Sequence, residues 1–350
     1  MAYTTIDDPS EYFDVTLWTG TGGARTISGL NHKPDLIWTK TRSVAYNHMW
    51  SDSSRGFNAN SELGSNSTAA EGGLSADVYG YKSGHTSDGW TMVDGTDSVD
   101  SQEDGNTNQP SVTYVGWTWA ANGGTTTTND ASATGVGDID SVYQANTTAG
   151  FSIVTYTHTG NDDRVAHGLG ATPKVVIIKE RGGTGSWYYV TTQVDGSLEY
   201  LLLEAENAKA SLSYSVHTST TFPSLQFDNT DTAVAYCYAE IQGYSKFGAY
   251  SGNGNADGTF VYTGFKPAWV MVKRTDSANH WIIVDSSRTD SSGGNSIDRW
   301  IRANTSATEV NGSGVDFDFV SNGFKLRSAD NATNNSSGSY IYMAFAEHPF

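Results

Sequence analysis

One run of residues occurs three times in this chain, so a fold that suits one copy must suit all three. Trp18, Gly22, Gly29, Leu30, Pro34 and Lys40 lead to Arg42. Tyr156, Gly160, Gly168, Leu169, Pro173 and Lys179 lead to Arg181. Tyr250, Gly254, Gly264, Phe265, Pro267 and Lys273 lead to Arg274. Proline and lysine stand six residues apart in every copy. Units repeated along one chain are usually scaffolds that stack on one another. A catalytic centre has little use for three copies.

Copies one and three share further words. Asp52-Ser-Ser-Arg55 follows Pro34 by 18 residues, and Asp285-Ser-Ser-Arg288 follows Pro267 by 18. Asn66–Glu71 matches Asn304–Glu309, and Ser87–Trp90 matches Ser321–Phe324. Copy two is the most degenerate, with Thr191-Thr-Gln-Val194 in place of Asp-Ser-Ser-Arg. Each copy closes on an aromatic strand, at 114–119, 233–240 and 340–347.

The segments 35–39, 174–178 and 268–272, one after each proline, are apolar at successive positions. That pattern suits strands covered on both faces. Proline fits the first position of such a strand, where its missing N–H costs no ladder bond. Glycine, with 38 residues, is abundant beside Thr, Ser and Asn, while Lys and Glu are scarce, which favours strands and turns. Residues 201–210 alone have the composition of a helix, and read equally as strand plus turn. The expected fold is all-β, with three repeated β-sandwich domains. A jelly roll is one form within that class, since strand order is not readable here. The expected domains are 1–120, with long loops at 71–85 and 94–109, then 148–243 and 244–350. Residues 121–147, rich in Gly, Thr and Asn, read as a linker. Domains two and three, joined through Gln242–Gly248, are expected to pack together. Domain one is expected to be separable and to present the variable face.

Lys and Arg total 20 against 38 Asp and Glu, a formal charge of -18. That balance opposes nucleic-acid binding through bulk charge. No apolar run is long enough to span a membrane, so no membrane insertion is expected. Met1–Pro9 lacks the basic stretch and apolar core of a signal peptide, and the protein is expected to be made in a cytoplasm. The single cysteine, Cys237, lies in an apolar run and reads as a small buried hydrophobe.

The repeated words are similar to those of virion proteins of marine bacteriophages, cyanobacterial phages among them. The likeness rests on aromatic-Thr-Gly-X-Gly, Gly-Leu with Pro and Lys downstream, Asp-Ser-X-Arg and Ser-Asn-Gly-Phe. It also rests on Glu240–Gly248 and the terminal run from Ala344 to Phe350, and it covers about Tyr12 to Phe350. Such proteins are described as tail-fibre-like or structural, and the resemblance implies no catalytic residues and no cofactor. It implies a non-enzymatic virion component, a homo-oligomer in the particle. Its partners would be other virion proteins and a host cell-surface polysaccharide or protein. Capsid decoration at quasi-threefold sites and a polysaccharide depolymerase are the alternatives. The chain has no heptads and no Gly-X-Y shaft, so attachment through its own surfaces or through another protein is expected.

Asp52, Arg55, Asp285 and Arg288 form the sharpest polar repeat, as a surface ligand clamp or as a strand-end turn. Turn chemistry is the commoner outcome. Asp94, Asp97, Asp100, Glu103 and Asp104 crowd one loop, and Asp316 and Asp318 share one strand face. They offer the oxygen ligands that calcium takes, but not at the Asp-X-Asp-X-Asp-Gly spacing, so solvated acid is the plainer reading. The eight histidines show no metal spacing, and no nucleophile elbow or phosphate loop is present. Trp187 and Trp281 both stand eight residues after the repeat lysine, which points to a shared core. Unmatched aromatics in variable segments, Tyr79, Tyr81, Tyr188, Tyr189 and Trp300, are the candidates for surface recognition.

Overall fold

The post-proline strands lie at the centre of three antiparallel sheets, and both of their faces are covered. The computed structural model describes residues 4–97, 104–225, 230–289, 295–312 and 314–349. In copy one the strand order is Phe13–Thr19, Thr113–Trp119, Leu36–Thr41, Met49–Asp52. In copy two Phe151–Thr157, Thr232–Tyr238, Val175–Glu180 and Trp187–Thr191 repeat that order. In copy three Ser245–Ser251, Ser339–Pro349, Phe265–Arg274 and Trp281–Asp285 repeat it again. Each closing strand of a copy thus sits between its first and its post-proline strand.

Alternation along the post-proline strands sends successive side chains to two different cores. Leu36 and Trp38, Val175 and Ile177, and Trp269 and Met271 enter one apolar cluster common to all three copies. Ile37, then Val176 and Ile178, then Val270 and Val272 enter three separate clusters, one per copy. Those outer clusters are closed by small sheets containing Ile27 and Trp90, Val165 and Phe222, and Val261 and Phe324. Each copy is therefore a two-layer sandwich whose inner sheet faces the shared centre. Gly89 and Gly323, at matched hairpins, carry no Cβ because one would lie 1.9 Å from the Ile27 carbonyl oxygen and 2.1 Å from that of Val261.

The shared core is aromatic. Trp38 lies 4.7 Å from Trp50 and 5.2 Å from Trp117 between ring centres. Trp50 meets Trp187 and Tyr236 of copy two at 5.2 and 5.1 Å. Trp119 meets Trp269 and Phe345 of copy three at 5.9 and 5.6 Å.

Two expectations give way, and one open alternative is decided. Copy one is not separable, because Trp38, Trp50, Trp117 and Trp119 belong to the common core. Residues 121–147 are not a linker: Thr127–Asn129 and Ser141–Asn146 extend the copy-two sheet beside Phe151–Thr157, and Ala131–Thr134 is a helical turn. The small residues that read as flexible are strand and turn residues held by pairing. Residues 201–210 hold no helix; strand Glu199–Leu202 pairs with Ala210–Ser211. Among the described residues no helix is long and apolar enough to cross a membrane.

Candidate functional site

The repeated polar words come together where one copy meets the next. Lys40, Lys179 and Lys273 are all buried. Each ammonium donates to the carbonyl of the following residue and to a carbonyl of a neighbouring copy. Lys40 reaches Thr41 O at 2.8 Å and Ser306 O at 3.1 Å. Lys179 reaches Glu180 O at 2.7 Å and Thr68 O at 3.4 Å. Lys273 reaches Arg274 O at 2.7 Å and Glu206 O at 3.2 Å. Burial pulls Lys40 down to about 7, and Lys179 and Lys273 to about 8.

Eight residues after each lysine a ring nitrogen also crosses the junction. Trp187 Nε1 donates to Gly64 O at 2.9 Å, and Trp281 Nε1 to Leu202 O at 2.8 Å. His48 holds the same place in copy one, with Nε2 3.0 Å from Arg302 O. The backbone N–H of each of these residues donates to a side chain of its own copy, Asn66, Glu204 or Asn304. Copy one therefore grips copy three, three grips two, and two grips one, which closes a ring. The His48 equivalence was present in the sequence as the same offset from lysine, but the change of residue type hid it.

Asp52, Arg55, Asp285 and Arg288 are not a surface clamp. Their side chains are buried, because each pair seals a junction. Asp52 caps its turn by accepting from Arg55 N at 2.9 Å and pairs with Arg55 Nε at 2.5 Å. Tyr236 of copy two donates to Asp52 at 2.7 Å. Arg55 also pairs with Glu71 at 3.0 Å, and Arg181 of copy two pairs with Glu71 at 2.6 Å. Burial opposes the Arg55 charge, yet Asp52, Tyr236 and Glu71 outweigh it and push its pKa up.

Copy three repeats this toward copy one. Asp285 pairs with Arg288 at 2.6 Å, Trp117 Nε1 donates to Asp285 at 3.0 Å, and Glu309 joins Arg288 at 3.2 Å to Arg42 at 2.8 Å. Burial pushes the Glu309 carboxyl up, but Arg42 and Arg288 bring it below its ordinary value. Between copies two and three the equivalent positions are Thr191, Val194, Lys209, Thr275 and Met343, and the ionic arrangement is gone.

Trp300 is buried in the outer core of copy three, its Nε1 3.3 Å from Gly312 O and its ring under Arg302, so it is not a surface aromatic. Tyr189 is in the central core, while Tyr79, Tyr81 and Tyr188 are half-buried. Of the acidic loop, Asp100 and Glu103 lie outside the described residues. Asp104 is buried and accepts from Gly23 N at 2.9 Å. Asp318 pairs with Arg327 at 3.2 Å, and no group of three metal-ligating side chains occurs among the described residues. Burial raises the Cys237 thiol far above its ordinary range, which leaves it a neutral core group.

An open groove of about 670 Å³ lies in copy two, lined by Asp138, Asp140, Ser141, Thr155, His158 and Arg181. Its two aspartates are tied to backbone: Asp138 accepts from Arg164 N and Asp140 from Ala131 N. Burial brings His158 down to about 4, against the pull of Asp231 and Asp163.

The family described as "Domain of unknown function (DUF7483)" matches residues 8–349. No curated protein and no solved structure matches the chain.

Proposed function

We propose the following role for this chain, which belongs to the DUF7483 family: it is a non-enzymatic component of a phage particle, exposed on the outside, that offers one face to the host surface. The observation that carries the reading is where likeness between the copies stops. The residues the copies share lie at the junctions, in the common core and in the buried parts of the outer cores, Trp90 and Phe324 among them. The outermost strands, by contrast, carry Thr26 and Ser28 in copy one, Arg164 and Ala166 in copy two, and Phe260 and Tyr262 in copy three. A scaffold kept uniform inside and varied outside suits presentation of a single face. The resemblance of the repeated words to phage virion proteins supplies the particle.

The ring of three copies favours one second reading, decoration of a capsid threefold site. Such a site would need three similar outer faces, and these differ. An image of the intact particle that places the chain at the tail supports the first reading, with purified protein binding host cells or their polysaccharide. Density on the head assigns the second. Host polysaccharide shortened by the purified protein would make it a depolymerase and overturn both.

A further inference from the structure

Aromatic side chains in this chain are mostly inside, but Phe260 is 46% and Tyr262 55% exposed. Both belong to the three-residue strand Phe260–Tyr262, at the edge of the outer sheet of copy three. Val261, between them, is buried in the outer core. The ladder to Gly323–Leu326 runs through alternate residues. Leu326 N donates to Thr259 O and Thr263 N to Asn322 O, each at 3.0 Å. In an antiparallel pair this phase makes Val261 the next hydrogen-bonded position. The N–H and C=O of Phe260 and Tyr262 therefore face away from the sheet, on the same strand as the two exposed rings.

The equivalent edge of copy two is occupied. There Val165 takes the place of Val261, and Ile139 forms a parallel bridge with it. Asp138 N donates to Arg164 O at 2.8 Å, and Asp138 Oδ2 accepts from Arg164 N at 2.8 Å. Ser141 Oγ donates to Ala166 O at 3.2 Å, and Ile139 packs against the outer core. The outward backbone groups of this edge are thus met by the chain's own Asp138-Ile139-Asp140-Ser141. Copy one leaves its edge open but polar, with exposed Thr26 and Ser28. Short polar edges resist pairing, whereas an apolar one invites it.

We propose that Phe260–Tyr262 is a strand-addition site for an extended segment of another protein, an apolar residue flanked by acidic ones. The mode, and the acidic flanks of the apolar residue, follow the Asp138-Ile139-Asp140 segment that covers the copy-two edge. Lys325 is the register partner of Phe260, and Arg327 lies one residue beyond Leu326. Lys325 pairs with the exposed Asp257, and Arg327 with Asp257 and Asp318, so the border of the edge is polar and balanced in charge. The partner's backbone takes up the outward groups of Phe260 and Tyr262, and its side chains cover the two rings. This site stands independently of the chain's position on a particle.

The probe is a capped hexapeptide of the chain's own residues 136–141, added to isotope-labelled full-length protein and followed through backbone amide signals. Saturable shifts at Phe260, Tyr262 and Lys325 are expected. The same peptide N-methylated at its first aspartate, Asp138, keeps every side chain but loses the donor that meets Arg164 O in copy two, and it should fail to shift them. The double variant Phe260→Thr with Tyr262→Ser copies the edge of copy one. It should keep the remaining spectrum and lose the peptide response. Absence of shifts with the unmodified peptide overturns the proposal, as does equal binding of the N-methylated one. Shifts at these residues from an oligosaccharide, with none from the peptide, would assign the rings to sugar stacking instead.

Discussion

Two of the three junctions hold a cluster of aspartate, glutamate and two arginines, and the third, crossed by the more exposed Lys246–Glu240 and His280–Glu206 contacts, does not. Between copies one and two, and again between three and one, a buried aspartate–arginine pair is joined to a partly buried glutamate and second arginine, with an aromatic donor from the next copy. Between two and three the same places hold Thr191, Val194, Lys209, Thr275 and Met343. There Lys209 turns to Asp195 and Glu199 of its own copy. Yet the lysine clip, the ring donor and the backbone bond from position 71, 209 or 309 to the neighbouring strand persist at all three. Closure therefore needs the lysine clip, the ring donors and the aromatic core, while the carboxylate–arginine set is an addition that must be complete or absent. That is the expected behaviour of buried ion pairs. Removing one partner strands a charge, whereas replacing the whole set with apolar groups is close to neutral.

Deleting residues 1–120 is the most severe way to break the comparison, since it removes both ionic junctions and four indoles of the common core. The remainder should show no cooperative unfolding transition by calorimetry, and it should not enter particles. Next, Arg55→Met leaves the buried Asp52 carboxylate without its cation. It should cost about 3–5 kcal/mol in denaturant unfolding. Replacing the whole set sharpens the point: Asp52→Thr, Arg55→Val, Arg181→Thr and Tyr236→Met as at the third junction, with Glu71→Ala in place of a lysine whose partners Asp195 and Glu199 belong to copy two, together should cost roughly 1–2 kcal/mol. A combined loss as large as the single Arg55→Met loss would contradict the account.

The lysine clip gives a pH signature. Lys40 has a folded pKa near 7 against an ordinary 10.5. Between those values the unfolded chain binds more protons, so stability rises with pH across that window and is lowest below it. One such lysine contributes a slope of at most about 1.4 kcal/mol per pH unit. Lys40→Met should flatten the rise measured between pH 7 and 9, and an unchanged slope would place the ammonium in contact with water. The smallest effect is expected for Trp281→Phe, which loses the bond to Leu202 O while keeping most of the ring volume. It should cost about 1–2 kcal/mol, measured by the same unfolding curves.

Much of the fold was legible because periodicity reports burial directly. The doubly apolar segments after Pro34, Pro173 and Pro267 stand at the middle of covered sheets. The matched Trp187 and Trp281 are core residues. The site was less legible. Asp-Ser-Ser-Arg reads the same as a surface turn or a buried seal, since the two differ only in what covers them. The run 121–147 looked like a linker because small polar residues carry no apolar signal when their strands pair at a sheet edge. Trp300 looked like a surface residue because nothing local announces the outer core above it.

By itself the sequence determined that this chain is three β-rich copies of one unit, since strand periodicity and the proline–lysine spacing are local properties. Only the tertiary structure decided that the copies close into a ring around one aromatic core. It decided too that their polar words face one another across the junctions, and that one outer edge carries two exposed rings. Those outcomes depend on which sheet face meets which, a relation between residues as distant in sequence as Arg42 and Glu309, 267 positions apart. No local pattern encodes such a relation.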